Sequence, residues 1–167
     1  DATGILASAQ FGDVTVTNGT YADITAYTFG GNATGINAQS YTGDVTVVND
    51  GSISAESVNL YAIGINAQSV YGAVSVDNNG TISAYSNGTA VGIIAGSVYD
   101  DVSVYNSGDI DATSRNGNAY GVYATSVYGD VSVDNYGGTI SASARGYAIG
   151  IYASSIYGTV SIENSGD

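Results

Sequence analysis

Apolar and small polar residues alternate along this chain in short runs, and the runs recur. In Asp44, Val45, Thr46, Val47 the two valines fall on one face and the Asp and Thr on the other. Ser52, Ile53, Ser54, Ala55 repeat the pattern, and between Gly35 and Ser40 it is Ile36, Ala38 and Ser40 that share a face. A period of two marks half-buried β-strands. Gly and Asn punctuate the joints, as at Thr42-Gly43 and Asn49-Asp50-Gly51, where a turn needs residues that tolerate positive φ.

These three runs form a unit that occurs six times. Aligned on the pattern A-x-G-[IV]-x-A, the copies start at residues 2, 33, 62, 90, 119 and 148, in steps of 31, 29, 28, 29 and 29. A period of this length points to a solenoid. Three short strands per unit, none long enough to pack alone, predict an all-β fold: a right-handed parallel β-helix of about six coils, with equivalent strands paired at about 4.8 Å and a total rise of about 29 Å. The spacing also predicts what lines the tube. One ladder is Val14, Val45, Val74, Val102, Val131, Val160, and the next is Val16, Val47, Val76, Val104, Val133, Ile162. Ile24, Ile53, Ile82, Ile110 and Ile140 make a third, with Ala26, Ala55, Ala84, Ala112 and Ala142 beside it, and the first strands add Ile5, Ile36, Ile65, Ile93, Val122 and Ile151.

Length varies at two places. Copy one carries extra residues in Gly19-Thr20-Tyr21-Ala22, copy five an extra glycine at Gly137-Gly138, and the segment after the third strand varies in both length and identity among the copies. Such variation marks loops gathered on the edges of a solenoid. The chain, residues 1–167, reads as a single β-helical segment and is expected to be a window on a longer array, because neither end carries a capping pattern.

Charge narrows the partners. Two Arg and no Lys stand against 15 acids, a net charge of −13. Nucleic-acid binding needs cations to release counterions, so that class is set aside, and an anionic membrane is disfavoured too. No apolar run approaches transmembrane length. Without Cys there are no disulfides, and without His neither a Ser-His-Asp nor a Cys-His catalytic arrangement is available. An enzyme is not expected.

Three rows of residues remain as candidates for function. Asn18, Asn49, Asn78, Asn106, Asn135 and Asn164 close the second strand of each copy and read as a structural amide ladder at a corner. Phe11, Tyr71, Tyr99, Tyr128 and Tyr157, with Thr42 as the gap, form an aromatic row just before the second strand, with Tyr120, Tyr123, Tyr147 and Tyr152 nearby. Tyr71, Tyr99, Tyr128, Tyr157, Tyr123 and Tyr152 are the candidate surface contacts, either as a platform for sugar faces or partner patches or as stacking that stabilises the corner. Asp13, Asp44, Asp101 and Asp130 form an acidic column, and Asp100, Asp101, Asp109 and Asp111 make the fourth coil the most acidic. Ca²⁺ among those four is the one metal reading; a solvated face is the other, and no cofactor is expected.

The recurring Gly-Asp-Val-Ser-Val-x-Asn and Gly-x-Ile-x-Ala, seen at Gly129 to Asn135 and Gly138 to Ala142, resemble the passenger regions of bacterial autotransporter adhesins and related haemagglutinin-like secreted proteins. The resemblance spans the whole chain. It implies an extracellular β-helix on a bacterial cell surface, a stalk or fibre that holds a binding surface away from the cell and meets glycans, surface ligands or other copies of itself. A self-assembling filament subunit is the alternative. A polysaccharide-active β-helix enzyme and an ice-binding protein stand behind both.

Overall fold

The structure, a computed structural model, describes all residues from Asp1 to Asp167. It contains strands and no helix. The first strands of the six coils are β1 (Ala2–Ala9), β4 (Ala33–Ser40), β7 (Ala62–Ser69), β10 (Ala90–Gly96), β13 (Ala119–Ser126) and β16 (Ala148–Ser155). The second strands are β2 (Val14–Asn18), β5 (Val45–Asn49), β8 (Val74–Asn78), β11 (Val102–Asn106), β14 (Val131–Asn135) and β17 (Val160–Asn164). The third are β3 (Asp23–Thr28), β6 (Ser52–Ser57), β9 (Thr81–Ser86), β12 (Asp109–Ser114) and β15 (Ile140–Ser143). Each set pairs in parallel with its counterparts above and below, giving two six-stranded sheets and one five-stranded sheet. The chain is thus a parallel β-solenoid of about six coils.

Register follows the repeat. Val45 pairs with Val14 and with Val74, Ile53 with Ile24 and with Ile82, and Ile36 with Ile5 and with Ile65. The predicted valine and isoleucine ladders line one core, in which Val45, Val47, Ile36, Ile65 and Ile93 have no exposed surface; Val160 and Ile162, expected as the last rungs, lie on the last coil and are 43% and 48% exposed. At about 1.5–3 kcal/mol for each buried Val or Ile, this column is the main stabilising term.

A second, separate core consists of alanines alone, with Ala33, Ala62, Ala90 and Ala119 of the first strands against Ala26, Ala55, Ala84 and Ala112 of the third. This corner is narrow because the first strands break the expected alternation. In β4 both Gly35 and Ile36 are buried, as are Ala33, Ala38 and Ser40. A Cβ on Gly35 would collide with the Ile53 side chain and the Gly64 carbonyl, and Gly64, Gly92 and Gly121 are in the same position in the next coils. Glycine is needed here for close approach, so that an Ile ladder and a backbone can share one space.

The length differences fall where the pattern placed them. Tyr21, with φ 67°, lies in the widened turn between β2 and β3, and Gly137, with φ 95°, lies between β14 and β15.

Candidate functional site

The tube wall offers three kinds of rows, and the structure separates the structural ones from the exposed ones. The Asn residues are structural. Each side-chain amide donates to the next along one line: Asn18 to Asn49, Asn49 to Asn78, Asn78 to Asn106, Asn106 to Asn135 and Asn135 to Asn164, every bond 2.7 Å. The second proton of Asn106 goes to the Gly108 carbonyl at 2.8 Å and that of Asn135 to Gly138 at 2.9 Å, closing the turn beneath. Asn49, Asn78, Asn106 and Asn135 are wholly buried and carry no surface chemistry.

A serine ladder at the end of the first strands also joins the coils, through backbone groups. Ser69 Oγ donates to the Gly43 carbonyl of the coil below at 2.8 Å and accepts from the Gly72 N–H at 2.9 Å. Ser40, Ser97, Ser126 and Ser155 repeat both bonds. Ser57, Ser86 and Ser114 form a second set at the opposite corner, each bridging to a carbonyl of the coil below. The alternation puts Ser40 on the face of Ile36 and Ala38; the backbone groups it joins lie on two coils and are not visible in that pattern.

The aromatic row is real but differs in membership and in the use it makes of its faces. Tyr71, Tyr99, Tyr128 and Tyr157 stack in parallel, with centroids 4.8, 5.2 and 5.0 Å apart. The register puts Thr42 opposite Tyr71 as expected, yet Tyr41, one residue earlier, turns its ring edge onto Tyr71 at 5.4 Å and fills the gap. Phe11, at 79% exposed, stands clear of the column. Because the rings cover one another's faces, they offer solvent only edges and hydroxyls. A sugar face cannot stack on the inner rings, so the column works as corner stabilisation, each aromatic pair contributing about 0.5–1.5 kcal/mol. The Tyr41 phenol beside it, and then charge repulsion from Tyr41 and Tyr99, hold the Tyr71 phenol above its ordinary value.

Tyr123 and Tyr152 lie elsewhere, on the outer face of the first sheet. They stack at 4.8 Å, and Tyr120 meets Tyr123 edge-on at 5.5 Å. Asn66 donates to Asn37 at 3.0 Å on the same row, but Ile94 occupies the next rung and leaves the Asn66 Oδ1 without a partner. Tyr147 belongs to neither group and is exposed in the variable tail.

The acidic column also explains itself through backbone contacts. Asp13 accepts from the Asp44 N–H at 2.9 Å, Asp44 from Ala73 at 2.9 Å, Asp101 from Asp130 at 2.7 Å and Asp130 from Thr159 at 2.7 Å. Each carboxylate therefore covers an N–H of the next coil that no strand pairs. The Thr159 N–H, and then its hydroxyl, hold the Asp130 carboxyl below the usual carboxylate range. The four acids read as a Ca²⁺ candidate are divided between a corner and the third sheet: Asp100 accepts from the Asp101 N–H at 2.8 Å at the corner, while on β12 Asp109 accepts from the Thr139 N–H at 3.0 Å and Asp111 from the Thr113 hydroxyl at 3.1 Å. They do not converge as a ligand set.

One concavity crosses the first four coils where the first sheet turns into the corner. It encloses 550 Å³ and is lined by Gln10, Gln39, Gln68, Tyr41, Val70 and Val98 among ten residues, none of them charged. Together with the ladders, this defines the class of the molecule: a repeat protein of the β-solenoid type, whose side chains are stacked in rows along the axis. No protein-family model matches the chain, and neither a curated protein nor a solved structure matches it.

Proposed function

We propose that this chain is a stretch of an extracellular adhesive stalk on a bacterial surface protein, structural rather than catalytic. The observation that supports this reading is the axial repetition of its bonding. The same amide bond recurs at 2.7 Å across every coil boundary, and the serine, tyrosine and aspartate rows run beside it. A rod held by backbone bonds and side-chain ladders along its axis resists pulling, and it presents its variable tails, with Phe29, Tyr61 and Tyr147 exposed, along one edge. Many weak contacts from such an edge give avidity without one deep pocket.

The test is a flow-chamber measurement on bacteria displaying the chain at the end of a surface anchor. Cells displaying it should resist detachment from a glycan- or matrix-coated surface better than cells displaying the coil-breaking Val102→Asp variant. Equal retention of the two at equal display would end the adhesive reading. In a separate pulling experiment, one coil of about 29 residues should release roughly 100 Å of chain, taken at about 3.5 Å per residue.

A further inference from the structure

The 15 acids of this chain are not spread evenly round the tube. Three lie on the second sheet (Asp77, Asp134, Glu163), four on the third (Asp23, Glu56, Asp109, Asp111), and the other eight lie at the corners and termini. The six strands of the first sheet carry no Asp, Glu, Lys or Arg. Its outer face is neutral throughout, and two of its three rows are apolar from the fourth coil on, while the third, Gln39, Gln68, Gly96, Thr125 and Ser154, is not. Thr34, Asn37 and Gln39 occupy it in the second coil. In the first row Thr34 is followed by Ile63, the buried Val91, Tyr120 and Ile149; in the second, Leu6, Asn37 and Asn66 are followed by Ile94, Tyr123 and Tyr152. Tyr123 and Tyr152 are stacked there with Tyr120 edge-on, so an aromatic anchor already stands on the face.

We infer that this face is a lateral interface for a second copy of the same chain. Two arguments carry it. The first is charge. Two copies of a chain at −13 repel, and on the second and third sheets and at the corners acids would be brought against acids. Only the first sheet lets two copies approach without burying a like-charge pair. The second is area. A face of six strands spaced about 4.8 Å and about eight residues long at about 3.3 Å each measures roughly 750 Å², close to the ~800 Å² per partner of a standard stable interface. A two-fold axis parallel to the solenoid axis sets each coil against the same coil of its partner. Apolar coils then meet apolar coils, amide rows meet amide rows, and two sheets pack face to face at about 10 Å. The inference needs only the fold and the distribution of charge, and it stands or falls apart from the adhesive reading.

Sedimentation equilibrium over a range of concentrations tests it. The expected mass is twice the 16.7 kDa of the chain. Association should tighten from low to near-physiological ionic strength, as salt screens the residual repulsion between the acidic flanks. Tyr123→Glu should raise the dissociation constant by about a hundredfold, the loss expected when a charge is buried without a partner in an interface. Gln68→Glu, an isosteric change at an exposed position on the same face, keeps the test valid if Tyr123→Glu does not fold, and it should also weaken pairing. Ser103→Glu on the second sheet and Ile162→Glu on the last coil should leave the dimer unchanged. A monomer at every concentration and salt would overturn the inference. So would a dimer that ignores both face variants, or one that Ile162→Glu dissolves, since that outcome means end-to-end stacking.

Discussion

Removing one rung of the asparagine ladder should cost more than any surface change, and the structure sets the size of the loss. In Asn106→Ala, Asn135 Oδ1 loses its only side-chain donor, and Asn78 Nδ2 loses its 2.7 Å acceptor while keeping the weaker 3.3 Å contact with Gly80. The Gly108 carbonyl also loses its donor. All three asparagines are fully buried, so water cannot replace these bonds. Two stranded polar groups at about 1–3 kcal/mol each give a loss of roughly 2–6 kcal/mol. Asn164→Ala is the internal control: Asn164 is exposed at the end of the ladder, and its replacement should cost under about 1 kcal/mol. Because a solenoid opens coil by coil, the assay is native-state hydrogen exchange at the amides of β11 and β14, which reads the local opening energy. Equal costs for the two variants, within about 0.5 kcal/mol, would refute the ladder as a source of stability. Asn106→Asp adds a test of sign. The ionised side chain would aim acceptors at the Asn135 and Gly108 oxygens, so burial and these contacts raise its folded-state pKa above the unfolded value of about 3.9. Its protonated form regains a donor. Stability is therefore full below the unfolded pKa and is lost as pH rises through the folded one. A variant that weakens on acidification would contradict this.

Gly92→Ala should cost about 1–3 kcal/mol or more from overpacking, because its Cβ would enter the Ile110 side chain and the Gly121 carbonyl, whereas Gly96→Ala meets nothing nearer than 3.6 Å and should be close to neutral; urea titrations of both settle it. Val102→Asp should unravel the fourth coil while Ser103→Ala stays within about 0.5 kcal/mol of wild type, and similar melting curves would invert the inside–outside assignment. Asp130 has a depressed folded pKa, so its contribution is present above the unfolded value and lost as pH falls through the folded one. Thr159→Pro deletes the donor N–H, and by NMR the Asp130 carboxyl should then titrate nearer the ordinary range; an unmoved midpoint would show that the 2.7 Å bond is not the cause.

The ladders were legible in the sequence because a solenoid writes them six times over. Val45 above Val14 and Ile53 above Ile24 need only the period and the alternation of Cβ directions. The Asn corner was legible for the same reason. Three features were not. Alternation placed Ile36 inside but gave no reason for Gly35 to be inside too; that follows from the Ile53 side chain, which is distant in sequence and fills the space a Cβ would need. Alternation places Ser40 on the inner face, but the carbonyl and N–H that it and Ser69 join belong to corners of two different coils, a contact that no local pattern encodes. Tyr41 opposes no aromatic in register, so the repeat does not mark it. Its ring reaches Tyr71 diagonally, and that choice depends on side-chain packing and not on backbone pairing. The acidic candidates Asp100 and Asp109 are near in sequence but lie at opposite ends of the extended strand β11, which carries them to different corners of the same coil.

Stacking like on like also explains where charge can go. A residue on one coil sits about 4.8 Å from its counterpart on the next, so an amide or aromatic rung gains a neighbour it can bind while a carboxylate rung gains one that repels it. The acids respect this limit in two ways. Asp13, Asp44, Asp101 and Asp130 each accept a backbone N–H from the next coil, so a donor stands between each carboxylate and the coil above. On the second sheet, Asp77 is flanked by Val48 and Tyr105, and Tyr105 in turn separates it from Asp134. Asp134 beside Glu163 is the adjacent pair that remains, and it lies against the exposed last coil, where water screens it. Neutral rows can therefore run the length of the tube, and charged rows must be broken or capped. The first sheet, the one face with no charge at all, is the only face free of that constraint, and it is there that two outer rows run apolar through the last three coils, Val91, Tyr120 and Ile149 beside Ile94, Tyr123 and Tyr152.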